Sequence, residues 1–225
     1  MQKSQTALVL IDLQKESNFG LNNMNSVIQN SKQLIETCKA SNIPVIYTRQ
    51  INRADGIGLS IGEPLNNDGT PYFYNTNTDQ VEIFNDIKPD SSDIIIDKYR
   101  WSAFHETSLD LILRNLGVTD LMIGGVVTDG CLMTSVFDAY FRDYNIHLIH
   151  DICDASNEGA HMSAMVNMAN WVYNLKVYNT ANMVKKIKGD QHDYWKADQV
   201  DSLQFTPETL REKYKKIVQQ GKEVL

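Results

Sequence analysis

Short apolar segments alternate along the chain with segments of helical periodicity, and this alternation limits the folds open to it. Six segments are strand-like: Ala7–Ile11, Pro44–Thr48, Asp93–Asp97, Thr119–Gly124, Asn145–His150 and Lys176–Tyr178. Four segments place apolar residues at helical spacing: Val27–Cys38, Leu109–Leu116, Cys131–Arg142 and Glu158–Trp171. Strands that are apolar along their whole length are typical of parallel sheets covered by helices. The sequence therefore predicts an α/β fold: a doubly wound, Rossmann-like, mostly parallel six-stranded sheet in the order 3-2-1-4-5-6, with helices on both faces in three α/β/α layers.

One long connection interrupts this rhythm. The segment Gln50–Ser92 is rich in Asn, Asp and Gly and holds the aromatic run Tyr72–Tyr74 near its middle. A connection of this length inside a compact domain is usually functional or partly disordered. We therefore expect substrate specificity to reside in this segment.

The tail that follows the sixth strand carries a helix signal of its own. Thr206 and Pro207 are typical of a helix start, and Gly221 of a helix end. The apolar stripe of this helix is Leu210, Tyr214, Ile217 and Val218. We divide the chain into a domain over residues 1–190 and a C-terminal helical extension over residues 191–225. Because the predicted sheet is already complete, the stripe should pack on the protein's flank or on another subunit, and we expect a homo-oligomer, a dimer or a tetramer.

Composition and charge exclude several classes of function. The 225 residues carry a formal net charge of -7, which argues against a nucleic-acid surface. No apolar run approaches ~20 residues, so we expect no transmembrane helix and no membrane partner. The N-terminus enters a strand without the apolar core of a signal peptide, and the three cysteines form no CxxC pair. These features predict a cytoplasmic protein with free thiols.

Three side chains of complementary chemistry lie directly after strands. Asp12 follows the first strand, Lys98 the third, and Cys131 the glycine turn after the fourth. The carboxyl ends of parallel strands line one crevice of a doubly wound sheet, so we expect these three side chains to converge. A carboxylate accepts a thiol proton, an ammonium stabilises both anions, and backbone N–H groups of a turn hold an oxyanion. The set predicts a nucleophilic cysteine without a histidine base.

Three sequence blocks carry a family resemblance. They are Leu8–Gln14 (LVLIDLQ), Lys98–Phe104 (KYRWSAF) and Gly125–Ser135 (GVVTDGCLMTS), in this order. Together they resemble the isochorismatase-like cysteine hydrolase superfamily, which includes nicotinamidases, N-carbamoylsarcosine amidases and ureidoacrylate amidohydrolases. The likeness covers roughly residues 6–185.

The resemblance implies a catalytic triad of Asp12, Lys98 and Cys131. It also implies a cis peptide bond between Val126 and Val127, with the N–H groups of Val127 and Cys131 forming an oxyanion hole. Metal-dependent nicotinamidases of the superfamily carry an Asp-x-His motif after the second strand, where this chain reads YTRQINRADG without histidine. We therefore expect no metal, and the triad requires no organic cofactor.

Aromatic residues close to the triad in sequence are candidates for the wall of a substrate pocket. Phe19 follows Asp12, and Trp101 and Phe104 follow Lys98. Each of the three is also an ordinary core residue type. We expect at least one of them to contact the substrate.

These observations predict a hydrolase that cleaves a C–N bond of a small amide, ureido or carbamoyl molecule through a cysteine thioester. One alternative is an isochorismatase-type hydrolase of a vinyl ether, although those enzymes usually lack the cysteine. The other is a non-catalytic scaffold or a thiol sensor. We expect the helix start and Lys98 to outweigh Asp12 and to lower the pKa of the Cys131 thiol below its ordinary value.

Overall fold

The computed structural model describes residues 1–17, 20–21 and 23–219. The strands in these residues are β1 (Thr6–Ile11), β2 (Val45–Gln50), β3 (Ile94–Lys98), β4 (Asp120–Val126), β5 (Asn145–Asp154) and β6 (Lys176–Tyr178). The helices are α1 (Met24–Ala40), α2 (Leu109–Asn115), α3 (Met133–Tyr140), α4 (Glu158–Trp171), α5 (Thr180–Lys188) and α6 (Leu210–Val218). The strands form one sheet in the order β3-β2-β1-β4-β5-β6, and every neighbouring pair is parallel. The predicted doubly wound fold and its strand order are confirmed.

Two hydrophobic cores lie on opposite faces of the sheet. All six residues of β1 are buried, and alternate residues of a strand point to opposite faces. Ala7, Val9 and Ile11 join the core that contains the buried residues of α2, α3 and α4. Leu8 and Leu10 join the core of α1 and α5. This central strand therefore ends in the middle of the sheet, where Asp12 begins the next segment.

The edge strand β3 departs from the prediction that every strand is covered on both faces. Ile95 keeps 46% of its surface exposed, and Asp97 is also exposed. Arg49 of β2 pairs with Asp97, with Nε 2.7 Å from Oδ1. A charged pair on an exposed edge is a common way to block pairing with another chain.

Two helices differ from the sequence-based prediction. The predicted helix Cys131–Arg142 is divided into a π-helical turn, Thr128–Leu132, and the shorter helix α3. The sequence pattern missed α5, a short helix capped by the Asn179 side chain and ended by Gly189 in the left-handed conformation. No helix in the described part of the chain is long and apolar enough to cross a membrane.

The C-terminal helix α6 packs on the flank of its own chain. Ile217 is completely buried, and the other stripe residues, Leu210, Tyr214 and Val218, are partly buried against the same core. Arg211 pairs with Glu158 of α4, with Nη2 2.9 Å from Oε2. The helix begins at Leu210 rather than at Thr206, and the predicted end at Gly221 lies outside the described residues. Because the stripe is covered within one chain, α6 gives no ground for a homo-oligomer, which stays a prediction.

Candidate active site

The ends of β1, β3 and β4 bring the three predicted side chains together. Lys98 Nζ lies 2.7 Å from Asp12 Oδ2 and 3.5 Å from Cys131 Sγ. The Cys131 thiol is also hydrogen-bonded to the Asp12 side chain. Residues that stand far apart in sequence thus form one contiguous acid, base and thiol cluster.

Asp12 is held in place by a neighbour that the sequence analysis missed. The Thr48 hydroxyl on β2 donates to Asp12 Oδ1 at 2.7 Å and accepts from the Asp12 backbone N–H at 3.2 Å. The backbone of Asp12 is left-handed, with φ of 50°. These two bonds fix the carboxylate at the strand end and leave Oδ2 facing Lys98. A threonine within a predicted strand gives no sequence signal of this role.

Lys98 is fully buried, and its ammonium group is hydrogen-bonded to several partners. Besides Asp12, its ammonium donates to Gln50 Oε1 at 2.9 Å and to the Arg100 carbonyl at 3.1 Å. Burial alone lowers the pKa of a lysine, but the charge of Asp12 and the hydrogen bonds to Asp12 and Cys131 outweigh it and raise the pKa of Lys98 above its ordinary value. Lys98 is therefore a permanent positive charge in the site.

Gln50 is positioned by a reciprocal pair of bonds with Gln14. Gln14 Nε2 donates to the Gln50 carbonyl at 2.9 Å, and the Gln50 backbone N–H donates to Gln14 Oε1 at 2.8 Å. Gln14 Nε2 also donates to the carbonyl of Val81 at 2.9 Å. Both glutamines are buried, so this pair connects β1, β2 and the long connection beside Lys98.

The charge state of Cys131 differs from the prediction. Burial raises the pKa of the thiol to about 12, the Asp12 carboxylate raises it as well, and the Lys98 ammonium lowers it by less. The predicted lowering by the helix and Lys98 was therefore wrong, because desolvation is the largest effect at a buried sulfur. Cys131 rests as a neutral thiol.

The turn between β4 and Cys131 has the expected backbone. The peptide bond between Val126 and Val127 is cis, and Val127 and Cys131 both line a cleft in the surface. Gly125 enters this turn with φ of +132°, and a Cβ there would lie 2.1 Å from the Ile11 carbonyl oxygen. Only glycine lets β4 approach β1 so closely beside Asp12. The oxyanion hole at Val127 and Cys131 stays a proposal.

A cavity of about 500 Å³ opens at Cys131. Its lining residues are Gln50, Ser60, Ile61, Gly62, Glu63, Pro64, Phe73, Tyr74, Tyr99, Trp101, Val127, Asp129, Gly130 and Cys131. More than half of them come from the segment Gln50–Ser92, which therefore forms one wall of the cleft.

The three aromatic pocket candidates fall in different places. Trp101 lines the cleft and is 67% exposed. Phe104 lies instead in the hydrophobic core, 5.9 Å from Tyr144 between ring centroids. Phe19 lies outside the described residues. In the proposed site we replace Phe104 by the aromatic residues of the long connection, Phe73 and Tyr74.

Within the described ranges, no group of three or more His, Cys, Asp or Glu side chains is placed to hold a metal ion. Asn52 stands in the stretch after β2 where the sequence lacks a histidine, and its amide donates to Glu63 Oε1 at 3.0 Å and to the Phe73 carbonyl at 3.1 Å. This stretch therefore serves to fold the cleft wall. The absence of a metal requirement stays a prediction.

Comparison with known proteins places this site in a family context. Ureidoacrylate amidohydrolase RutB of Acinetobacter baylyi is 26% identical over 194 residues, which cover 73% of this chain and 77% of the relative. Nicotinamidase 3 of Arabidopsis thaliana is 27% identical over 165 residues, covering 72% of this chain and 80% of the relative. A crystal structure of a cysteine hydrolase from Pseudomonas syringae pv. phaseolicola shares the fold, with a TM-score of 0.77 and 24% identity over 84% of this chain and 95% of that one.

A family model settles the membership that these likenesses indicate. The model that matches describes the isochorismatase domain, and the match runs over residues 6–180. It thus includes all three strand ends that carry Asp12, Lys98 and Cys131, and it excludes α6. This chain belongs to the isochorismatase family of hydrolases.

Proposed function

We propose that this protein hydrolyses a carbon–nitrogen bond of a small amide, ureido or carbamoyl compound, with Cys131 as the nucleophile and a thioester as the intermediate. The observation that carries the proposal is the contact of one buried ammonium, Lys98, with both Asp12 and the Cys131 sulfur beside a cavity. The relatives support the reaction class, since one is an amidohydrolase and one a nicotinamidase.

The first step starts from a neutral thiol. Burial and the Asp12 carboxylate hold the pKa of the Cys131 thiol well above neutral pH, so attack must be coupled to proton transfer. The Asp12 side chain is already hydrogen-bonded to the thiol. It takes the proton as the sulfur bonds to the substrate carbonyl carbon, while Lys98 stabilises the charges.

The tetrahedral intermediate then collapses. The carbonyl oxygen, now an oxyanion, accepts from the backbone N–H groups of Val127 and Cys131. The C–N bond breaks, and the proton held by Asp12 passes to the leaving nitrogen, so that the amine or ammonia departs neutral. The acyl group remains on Cys131 as a thioester.

Water completes the cycle. Asp12, which is a carboxylate again, takes a proton from a water molecule while the oxygen of that water attacks the thioester carbon. The C–S bond breaks, and the proton on Asp12 returns to the sulfur. The acid product leaves and Cys131 is a thiol again.

These steps use no metal and no organic cofactor. The motive is the stretch Tyr47–Gly56, which lacks the histidine of the metal-dependent relatives. Turnover should therefore be unchanged after exhaustive chelation with EDTA. Loss of turnover with EDTA, restored by zinc, iron or manganese, would overturn this part of the proposal.

A screen of small amides, ureas and carbamoyl compounds for ammonia release tests the reaction class. For an accepted compound, Cys131→Ala should lower kcat by at least about 10³-fold with the fold intact by circular dichroism, because it removes the nucleophile. Cys38→Ala is the matched control, since Cys38 is a buried free cysteine on α1 outside the cleft. The kcat of the Cys38→Ala variant should equal that of the parent protein.

Two outcomes would favour the other functions. Full turnover of an amide by a folded Cys131→Ala protein would exclude the thioester, and hydrolysis of a vinyl ether but of no amide would favour the isochorismatase-type reaction. A protein that hydrolyses no compound of any class would favour a scaffold. A thiol sensor is disfavoured by the raised pKa of Cys131, because redox sensors use accessible thiols of low pKa.

A further inference from the structure

The charged side chains that line the cleft are acidic. Glu63 stands on the wall made by the long connection, and Asp129 lies in the π-helical turn two residues before Cys131. Among the described residues that line the cleft, none is lysine, arginine or histidine. Lys98 lies beneath, but its charge is opposed at 2.7 Å by Asp12. A substrate therefore meets a cleft with a surplus of negative charge.

The Glu63 carboxylate has a fixed position. Its Oε1 accepts from the amide of Asn52 at 3.0 Å, and Asn52 is itself buried. The backbone N–H of Asn52 donates to the Tyr74 carbonyl at 2.8 Å, which ties the same residue to the middle of the long connection. The negative charge of Glu63 is therefore part of the folded wall.

Aromatic side chains make up much of the remaining surface. Those that line the cleft are Phe73, Tyr74, Tyr99 and Trp101. Aromatic faces attract cations through their quadrupole, and a carboxylate brought against them loses water without gaining a partner. The aromatic rings and the two acidic residues thus both favour a positively charged ligand.

Arg100 is next to a cleft residue in sequence but does not line the cleft. Arg100 follows Tyr99, and its Nη1 donates to the carbonyls of Gly58 at 3.0 Å and of Tyr99 at 2.7 Å. The guanidinium is thus bound to loop backbone. Arg100 could receive a carboxylate after a rearrangement that breaks these bonds, so the experiment includes it.

We infer that the cleft accepts neutral and, preferentially, cationic amides and discriminates against amides that carry a carboxylate. The reaction in this inference is that of the proposed function. The selectivity rests separately on Glu63, Asp129 and the aromatic residues of the cleft. It separates this chain from a relative whose name specifies an acrylate.

Three amides of equal length test the inference: para-(aminomethyl)benzamide, para-ethylbenzamide and para-carbamoylbenzoate. The aliphatic set β-alaninamide, butyramide and succinamate repeats the comparison without a ring. The expected order of kcat/KM is cation, neutral, anion, with a factor of about 10 or more between the cation and the anion. Calorimetric binding of the same compounds to the Cys131→Ser protein should follow the same order.

Two variants assign the selectivity to named groups. Glu63→Gln combined with Asp129→Asn should shift the cation-to-anion ratio toward the anion by about tenfold, since glutamine still accepts from Asn52 but carries no charge. Glu36→Gln, which removes one carboxylate charge on the exposed face of α1 instead, should leave the ratio unchanged.

The outcomes separate the inference from the reaction. If no amide is hydrolysed but the Cys131→Ser protein binds the cation best, the reaction is wrong and the selectivity stands. Turnover or binding that favours the compound with a carboxylate overturns the inference. If the Arg100→Gln variant then lost this preference for the carboxylate, Arg100 would be identified as the group that binds it. No measurable binding of the cation, or a ratio unmoved by the double variant, also overturns it.

Discussion

The resting state of Cys131 is decided by desolvation. All three cysteines are buried, and burial raises the pKa of Cys38, Cys131 and Cys153 to about 12 each. Lys98 lowers the thiol pKa at Cys131 alone, but Asp12 opposes it. The nucleophile is therefore distinguished from the other thiols by its access to the cleft and its contact with a base.

Alkylation by iodoacetamide should be slow at neutral pH and should rise with pH up to at least about pH 9, because the thiolate is the reactive form. Cys131 should still react before Cys38, which is completely buried, since Cys131 lines the cleft. Peptide mapping after timed labelling measures both. A rate that reaches its plateau below about pH 7 would show a low thiol pKa and contradict this account.

At the level of elements, the long connection is a folded wall organised by Asn52. Its side chain donates to Glu63 and to the Phe73 carbonyl, and its backbone exchanges bonds with Tyr74 and Thr76. Asn52 lies two residues after the end of β2 and is buried. The specificity that we expect of this segment thus depends on one polar residue inside it.

Asn52→Ala should raise KM by about tenfold or more and change kcat less. The substitution removes the side-chain hydrogen bonds that hold the cleft wall, but it leaves Asp12, Lys98 and Cys131 in place. Asn66→Ala is the control, since Asn66 makes similar side-chain bonds to Thr70 and Pro71 in an exposed turn of the same segment. Steady-state kinetics on an accepted amide measure both. Equal KM values for the two variants would refute the role of Asn52.

The helix α6 contributes to the stability of its own chain. Ile217→Ala should lower the free energy of unfolding by about 2–4 kcal/mol, because it opens a cavity in the main core. Lys215→Ala on the exposed face should change it by less than about 0.5 kcal/mol. Denaturant titration gives the energies, and light scattering should give the same solution mass for both. A lower solution mass for Ile217→Ala with an unchanged free energy of unfolding would indicate instead that α6 forms a subunit interface.

For the whole molecule, the sequence predicted topology better than packing. Continuous apolar strands between amphipathic helices are enough to predict the parallel sheet, its order and the convergence of Asp12, Lys98 and Cys131. Thr48 and Gln50 could not be found in this way, because a side-chain bond between strands leaves no periodic pattern. The thiol pKa was missed for a related reason: desolvation depends on everything packed around the sulfur.

The molecule should lose stability in mild acid. Burial lowers the pKa of His147, His150 and His161 below 6.5, their ordinary value, so the unfolded chain binds protons more readily than the folded one. The free energy of unfolding should therefore fall as the pH drops below about 6.5. Denaturant titrations between pH 7.5 and pH 5 test this. Stability that is constant or rises over that range would contradict it.

The covalent role of Cys131 is tested most directly by trapping the intermediate. Rapid acid quench during turnover of an accepted amide, followed by peptide mass mapping, should find the acyl group of that substrate on Cys131 and on neither Cys38 nor Cys153. Hydroxylamine added before the quench should remove the group as the hydroxamate, as it does from a thioester. Turnover with no acyl group on Cys131, together with full activity of the folded Cys131→Ala protein, would contradict the account.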